Sequence, residues 1–255
     1  MTGCHRDMSS WRRAIVAGAV ALGGAGLLAA CGSSSSSSTT TTAGSGSSAS
    51  TGSGGGDVSS KLNALTGNVK SAQKSTFQAV YTSTSGGTTS TVTLAQSPPK
   101  QLFSSTDPSG STTSLINTGT TTYSCSGGSG STTCTSIGGG AAAGALTSLI
   151  SVYNGSAALS VLNSWQAVIA SHVTGVSLTF TDETIAGQPS TCAHWSHQGD
   201  QATYCVTSTG VLAKVESSGG QSFALTSYTH APPASIFAVP QGATVVTLPG
   251  GVTAP

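Results

Sequence analysis

The sequence predicts an α+β fold, with helices laid against one face of an antiparallel sheet. Three observations carry this. Apolar residues fall at helical spacing near residues 58–69 and again over 146–169. Between and after those stretches the period changes to two. Beyond Val176, Gly187, Gly199, Gly210 and Gly219-Gly220 recur at intervals of about ten residues, the rhythm of a β-meander.

The folded part is expected to span residues 57–255. Asp57 can cap a first helix, in which Val58, Leu62, Leu65 and Val69 share a face, with Gly67 as a weak point. Phe77, Ala79 and Tyr81 then alternate with Gln78, Val80 and Thr82, and Val92 and Leu94 lie between threonines and Ala95. Pro98-Pro99 ends that strand. A further strand covers Gln101 to Ser105. A hairpin follows, from Ser111 to Asn117 and Thr120 to Cys125, turning at Thr118-Gly119. After Gly138 to Gly140, Leu146, Leu149, Ile150 and Tyr153 again mark a helix. Asn154-Gly155-Ser156 breaks it, and Ser156 caps the next, lined by Leu159, Leu162, Trp165, Val168 and Ile169. From Val176, Leu178 and Phe180 onward the alternation is strict. Val211, Ala213 and Val215 are expected on one face, and Leu212, Lys214 and Glu216 on the other.

The ends follow a different logic. Arg12 and Arg13 precede an uncharged run from Ala14 to Ala30, short for a span of about 20 residues. A positive start, a short apolar stretch and small residues at its end make residues 1–30 a signal peptide. Ser10-Trp11-Arg12-Arg13 lacks the pattern that follows a twin-Arg signal, so general secretion is expected. The run closes on Leu28-Ala29-Ala30-Cys31-Gly32, which resembles the bacterial lipobox. That resemblance implies a diacylglycerol on the Cys31 thiol and an anchor in the outer face of the cytoplasmic membrane. Residues 31–56 are almost wholly Ser, Thr, Gly and Ala and cannot bury apolar surface. A tether of this length reaches roughly 25–30 Å. Its hydroxyls are either bare or acceptors of O-linked sugars.

Composition excludes several partners. Only 6% of residues are charged. After Cys31 there is no Arg, and five Lys stand against six acids, so the domain offers nucleic acid no cationic surface. No cofactor motif is present: the chain lacks a Gly-x-Ser-x-Gly elbow and a phosphate-binding Gly-x-x-x-x-Gly-Lys loop. Ser71-Ala72-Gln73-Lys74 and Ser97-Pro98-Pro99-Lys100 match Ser-x-x-Lys, but a Ser-rich chain yields such matches by chance and the companion motifs are missing. Asp182 and Glu183 are adjacent, so on a strand they diverge. His194 and His197 would share a metal in a turn, but on a strand they face opposite ways. No enzyme and no metal site is expected.

Of six cysteines, Cys4 leaves with the signal peptide and Cys31 carries lipid. Cys125, Cys134, Cys192 and Cys205 remain, without a Cys-x-x-Cys spacing for zinc. Three pairings are possible, and the local one, Cys125–Cys134 and Cys192–Cys205, is preferred. Loop entropy assigns these bonds ~2.7 and ~3 kcal/mol. The first is expected to hold a Ser/Gly/Thr tip that packs little.

A helix, then Phe77-Gln78-Ala79-Val80-Tyr81, then a strand ending Leu94-Ala95-Gln96-Ser97-Pro98-Pro99-Lys100, a helical middle and a Cys-bearing meander together resemble the lipoprotein-carrier superfamily (LolA/LolB-like). They are similar to the LppX/LprG-type lipoproteins of high-GC Gram-positive bacteria. The resemblance implies a curved antiparallel half-barrel with helices packed on its concave face, and a lipid ligand or other hydrophobe between them. Phe77, Tyr81, Val92, Leu94, Phe103, Leu149, Leu162 and Trp165 are the expected lining residues. The same residues also make a core. The alternative is a non-enzymatic structural or interaction module of the envelope with that core filled. Cys31→Ala should leave the protein unacylated, either released or retained as precursor. Intact mass measurement checks this, and a diacylglyceryl mass on the variant would refute it.

Overall fold

The computed structural model describes residues 55–128, 130–138, 144–148, 150, 156–171 and 174–247. The expected signal peptide, Cys31, the expected tether up to residue 54 and Leu149 lie outside the described residues, while Gly55 and Gly56, expected in the tether, open the first helix.

Helix α1, Gly55–Ala72, is followed by six strands: β1 Phe77–Ser85, β2 Thr88–Ser97, β3 Lys100–Thr106, β4 Thr112–Asn117, β5 Thr122–Gly128 and β6 Ser131–Gly138. Residues 144–148 and 150 are helical. Helix α2, Ser156–Ala170, leads into β7 Val176–Ile185, β8 Gln188–His197, β9 Asp200–Thr207, β10 Leu212–Ser217 and β11 Ser222–Thr229. A single 3-10 turn, Ala234–Phe237, precedes β12 Thr244–Thr247. All twelve strands form one sheet, ordered β12-β6-β5-β4-β3-β2-β1-β11-β10-β9-β8-β7. Two meanders, β1–β6 and β7–β11, are thus joined edge to edge by β1 and β11.

The expected curved antiparallel half-barrel, with helices packed on its concave face, is overturned. The sheet is not closed, it is mixed because β12 runs parallel to β6, and no helices fill a concave face. The distribution of apolar side chains gives the reason. Leu94 and the next residue, Ala95, are both buried, in different clusters. On a strand neighbouring residues face opposite ways, so apolar side chains are buried on both faces of this sheet. A one-sided interior cannot take residues from both.

Four clusters result. One joins Leu62, Leu65 and Val69 of α1 and Leu162 and Trp165 of α2 to Ala193, Trp195, Tyr204, Val206 and Leu212. A second gathers Ala72, Leu146 and Ile150 with Phe77, Ala79, Tyr81, Val92, Leu94, Val211 and Leu225. On the opposite face Ala95, Leu102, Ile116, Cys125 and Cys134 are covered by Phe237. Cys192, Cys205 and Ala213 form the fourth.

Alternation also fails once within a strand. The β10–β9 register slips between Leu212 and Lys214. This bulge turns Leu212 toward the helices and puts Ala213 on the face of the disulfide, so Val211, Ala213 and Val215 do not share a face.

Cysteines 125 and 134 are directly opposed on β5 and β6, and cysteines 192 and 205 on β8 and β9. Both pairs are disulfide-bonded, with Cα atoms 4.0 and 3.9 Å apart. Such close approach belongs to the non-hydrogen-bonded positions of an antiparallel pair. The tip itself packs little, as expected, its described residues being exposed or partly buried, but the two cysteines at its base are buried with Leu102, Ile116 and Phe237. The two bonds close loops of similar length, with separations of 9 and 13 residues. Removing either pair as a double Ser variant should therefore cost about 2–4 kcal/mol, with the two values within about 1 kcal/mol of each other. Denaturant unfolding of both variants beside the parent measures this. A loss confined to the Cys192–Cys205 variant would show that the β5–β6 tip is held by its ladder alone.

Candidate functional site

Of the eight expected lining residues, Leu149 lies outside the described residues and the other seven divide between two places. Phe77, Tyr81, Val92 and Leu94 are at most 4% exposed and pack on one another and on Leu146 and Ile150. Phe103 lies partly buried against them. The Tyr81 ring stacks on Phe223 at 4.2 Å, and Phe77 stacks on Tyr228 at 6.2 Å. This part of the sheet is filled as a core is filled. Leu162 and Trp165 belong instead to the cluster over β7–β10.

That second cluster differs in cover. Helix α2 turns Leu162 and Trp165 inward, three residues apart on one helical stripe. Trp165 stacks nearly parallel to Trp195 of β8 at 6.0 Å and meets Tyr204 of β9 edge-on at 5.4 Å. Around these rings Val176, Leu178 and Phe180 of β7, Leu159 and Val161 of α2, and Ala202 of β9 are only partly buried. Lys61 of α1 reaches over the Phe180 ring at 5.7 Å. His197 lies 5.9 Å from Trp195. β7 is the last strand of the sheet, so nothing in the sheet covers its far side.

Register brings one row into focus. Leu178 pairs with Trp195, Trp195 with Ala202, and Ala202 with Ser217, so these four residues lie side by side across β7, β8, β9 and β10 on one face. Two of them bury a polar atom without a hydrogen-bond partner, Trp195 Nε1 and Ser217 Oγ. Between them stands the small side chain of Ala202. Sequence reasoning noticed Trp195 only as part of His194-Trp195-Ser196-His197 and missed Tyr204, Ala202 and Ser217 as its neighbours. The alternation of β7 and β8 was visible, but the cross-strand partners were not.

The two histidines of that cluster face opposite ways along β8. His197 lies with Trp195, whereas His194 is on the other face between Thr181 Oγ1, 2.8 Å from Nε2, and Thr203 Oγ1, 3.1 Å from Nδ1. Nearby, Lys214 Nζ lies 3.6 Å from Glu183 Oε2 and 3.5 Å from Glu216 Oε2. These are partly exposed pairs, worth ~0–1 kcal/mol each. Asp182 turns away from Glu183 and accepts a hydrogen bond from Thr191 Oγ1 at 2.9 Å. Glu183 comes within metal-ligand distance of Cys192 and Cys205, but those sulfurs are joined to each other and offer no thiolate. Of the Ser-x-x-Lys matches, Ser71 Oγ donates to its own helix at Asn68 O. Ser97 and Lys100 face each other across the β2–β3 turn.

No family model matches the sequence, and no curated protein matches it. Several solved structures are similar. The crystal structure of MucB shares 16% identity at a TM-score of 0.38, covering 76% of this chain and 66% of that one. The complex structure of Pseudomonas aeruginosa MucA/MucB shares 16% at 0.37, covering 75% and 64%. An uncharacterized conserved protein from Thermus thermophilus shares 9% at 0.38, covering 74% and 99%. The chain spans less than two thirds of the length of the MucB structures it matches. No helix among the described residues is long and apolar enough to cross a membrane.

Burial pushes the Tyr204 phenol above its ordinary value. A folded-state pKa above the unfolded one gives stability that is complete below pH ~10 and is lost as pH rises through the folded value. Stability should therefore fall between pH 8 and pH 11, and fall less steeply in Tyr204→Phe, which has no proton to lose at this position. Urea unfolding of both proteins at the two pH values tests this. Identical pH slopes would show that the phenol is not shielded.

Proposed function

We propose that this chain is a non-enzymatic, lipid-tethered module of the cell envelope. It holds a hydrophobic ligand in the seam between α2 and strands β7–β9. The observation that carries this reading is the incomplete cover of an aromatic floor. Trp165, Trp195 and Tyr204 are packed together at the flank of the sheet, while Val176, Leu178 and Phe180 beside them remain partly exposed. Apolar surface of this kind, next to a few placed polar groups, suits a small amphipathic molecule. The resemblance to the LppX/LprG-type carriers suggests an acyl lipid as its class. The lipobox at Cys31 supports an anchor in the outer face of the cytoplasmic membrane, with the lipid bilayer as the first partner. The lack of Arg after Cys31 argues against nucleic acid.

A second reading rests on a separate observation. Phe77, Tyr81, Val92 and Leu94, expected as a cavity lining, form a fully packed core. In this reading the whole domain is filled and its surface docks a protein of the envelope.

Native mass spectrometry of the protein purified from bacterial membranes, followed by titration with a fluorescent fatty acid, separates the two. The carrier reading expects co-purifying lipid or saturable uptake. A protein that arrives empty and takes up neither lipid nor probe would leave the interaction module standing.

A further inference from the structure

The row Leu178–Trp195–Ala202–Ser217 holds a feature that a purely apolar ligand does not use. Trp195 is 9% exposed, yet its indole Nε1 is buried without a hydrogen-bond partner. Leaving a buried N–H unpaired forfeits its hydration with nothing in return, so native proteins satisfy nearly all of them. Two strands away on the same face, Ser217 Oγ is buried and equally unpartnered. Neighbouring strands lie about 4.8 Å apart, so the backbones of Trp195 and Ser217 stand about 10 Å apart within the row. Ala202, paired with both of them, has only a methyl group, so no long side chain stands between the two. Trp165 roofs one end, and the partly buried Leu178 stands at the open flank beside β7.

We infer that this row recognises the hydrogen-bond-accepting head of an acyl ligand: Trp195 Nε1 donates to a carboxylate or ester carbonyl oxygen, and the chain lies along the Leu178 side. The inference rests on the hydrophobic-ligand reading and adds the head to it. Indole can only donate, so the ligand must bring an acceptor. A hydroxyl both donates and accepts, so Ser217 accommodates either oxygen of a carboxyl group or the second oxygen of an ester. A free fatty acid and the acyl ester of a membrane lipid share this chemistry. A head with no acceptor leaves Nε1 as it stands in the free protein.

The test uses the full chain carrying Cys31→Ser, so that its own lipid does not compete. The probes are sodium dodecanoate, 1-dodecanoyl lysophosphatidylcholine and dodecyltrimethylammonium, each below its micellar concentration. They have the same chain length, with a carboxylate, an ester carbonyl and no acceptor respectively. The readouts are the indole N–H resonances and the Kd from their titration. The Trp195 N–H should move downfield with dodecanoate or with the lysolipid, and either should bind at least about tenfold more tightly than dodecyltrimethylammonium, as one charge-assisted or carbonyl hydrogen bond implies. Whichever of the two binds more tightly identifies the free acid or the lipid ester as the source. Trp195→Phe keeps an aromatic ring, though a smaller one, and loses the donor, and should lower the affinity for the preferred probe about tenfold, to that of dodecyltrimethylammonium. Equal binding of all three probes overturns the inference while leaving hydrophobic-ligand binding intact. Binding of none removes both. The probe comparison on the unsubstituted row needs no core variant, so a poorly folded Trp195→Phe does not spare the inference.

Discussion

The rest of this structure depends on how its first helix is fastened to the sheet. The Gln96 side chain of β2 is 1% exposed, and its Nε2 donates to Ala72 O at 2.8 Å and to Ser75 O at 2.5 Å. Ala72 O, which ends α1 and also accepts from Ser75 N at 3.1 Å, and Ser75 O just beyond it are thus tied directly to the sheet. At the other fastening, Gly210 in the β9–β10 turn sits so close to α1 that an added Cβ would lie 1.8 Å from Asn68 O, and its φ is +85°. Only a glycine allows that approach. One contact belongs to the first meander and the other to the second. Between them they set the depth at which Leu62, Leu65 and Val69 enter one cluster and Ala72 the other.

A sheet of twelve strands in a chain with so few large apolar residues needs other sources of order. Much of its surface is Ser and Thr, and the rows pair with themselves: Thr106 with Thr112 at 2.9 Å, Thr84 with Thr89 at 3.2 Å. Cross-strand hydroxyl pairs add a few tenths of a kcal/mol each to the backbone ladder. The two disulfides cross-link neighbouring strands on the face opposite the helices, where apolar cover is thin. One face is thus held by helices and rings, the other by sulfur, hydroxyls and the segment that carries Phe237.

The uneven cover of the helix-bearing face shapes the functional reading. At the centre, where the two meanders join, Tyr81, Phe223 and Leu225 close on one another and on Leu146 and Ile150. Toward β7 the sheet continues, and among the described residues its cover is α1 and one stripe of α2, with Val176, Leu178 and Phe180 only partly buried. Both tryptophans of the described residues pack there, and two polar atoms without partners lie beside them. A filled centre beside partly buried apolar side chains is the reason the proposed ligand is assigned to the edge of the sheet, away from the middle where a half-barrel would hold it.

Periodicity along the chain was enough to place α1, β1, β2, α2 and the β7–β8 stretch, because helices and half-buried strands differ in which neighbours they bring to one side. Gly119, Gly187 and Gly199 likewise announced turns that the structure makes with positive φ. Composition alone set apart residues 1–30, the Ser/Thr/Gly-rich residues 31–56 and a remainder without Arg. The close spacing of Cys125 with Cys134 and of Cys192 with Cys205 made the local pairs the economical choice. Pairing between distant strands was not legible. Nothing local in Phe77–Ser85 says that it lies beside Ser222–Thr229, that Thr244–Thr247 runs parallel to β6, or that the ladder slips before Lys214. Trp195, Ala202 and Ser217 carry no common motif and become neighbours only when three strands settle into register. The alternation of side chains is a property of one strand and can be read along it. The row that crosses the strands is set by backbone hydrogen bonds between segments far apart in sequence, and only the tertiary structure decides those.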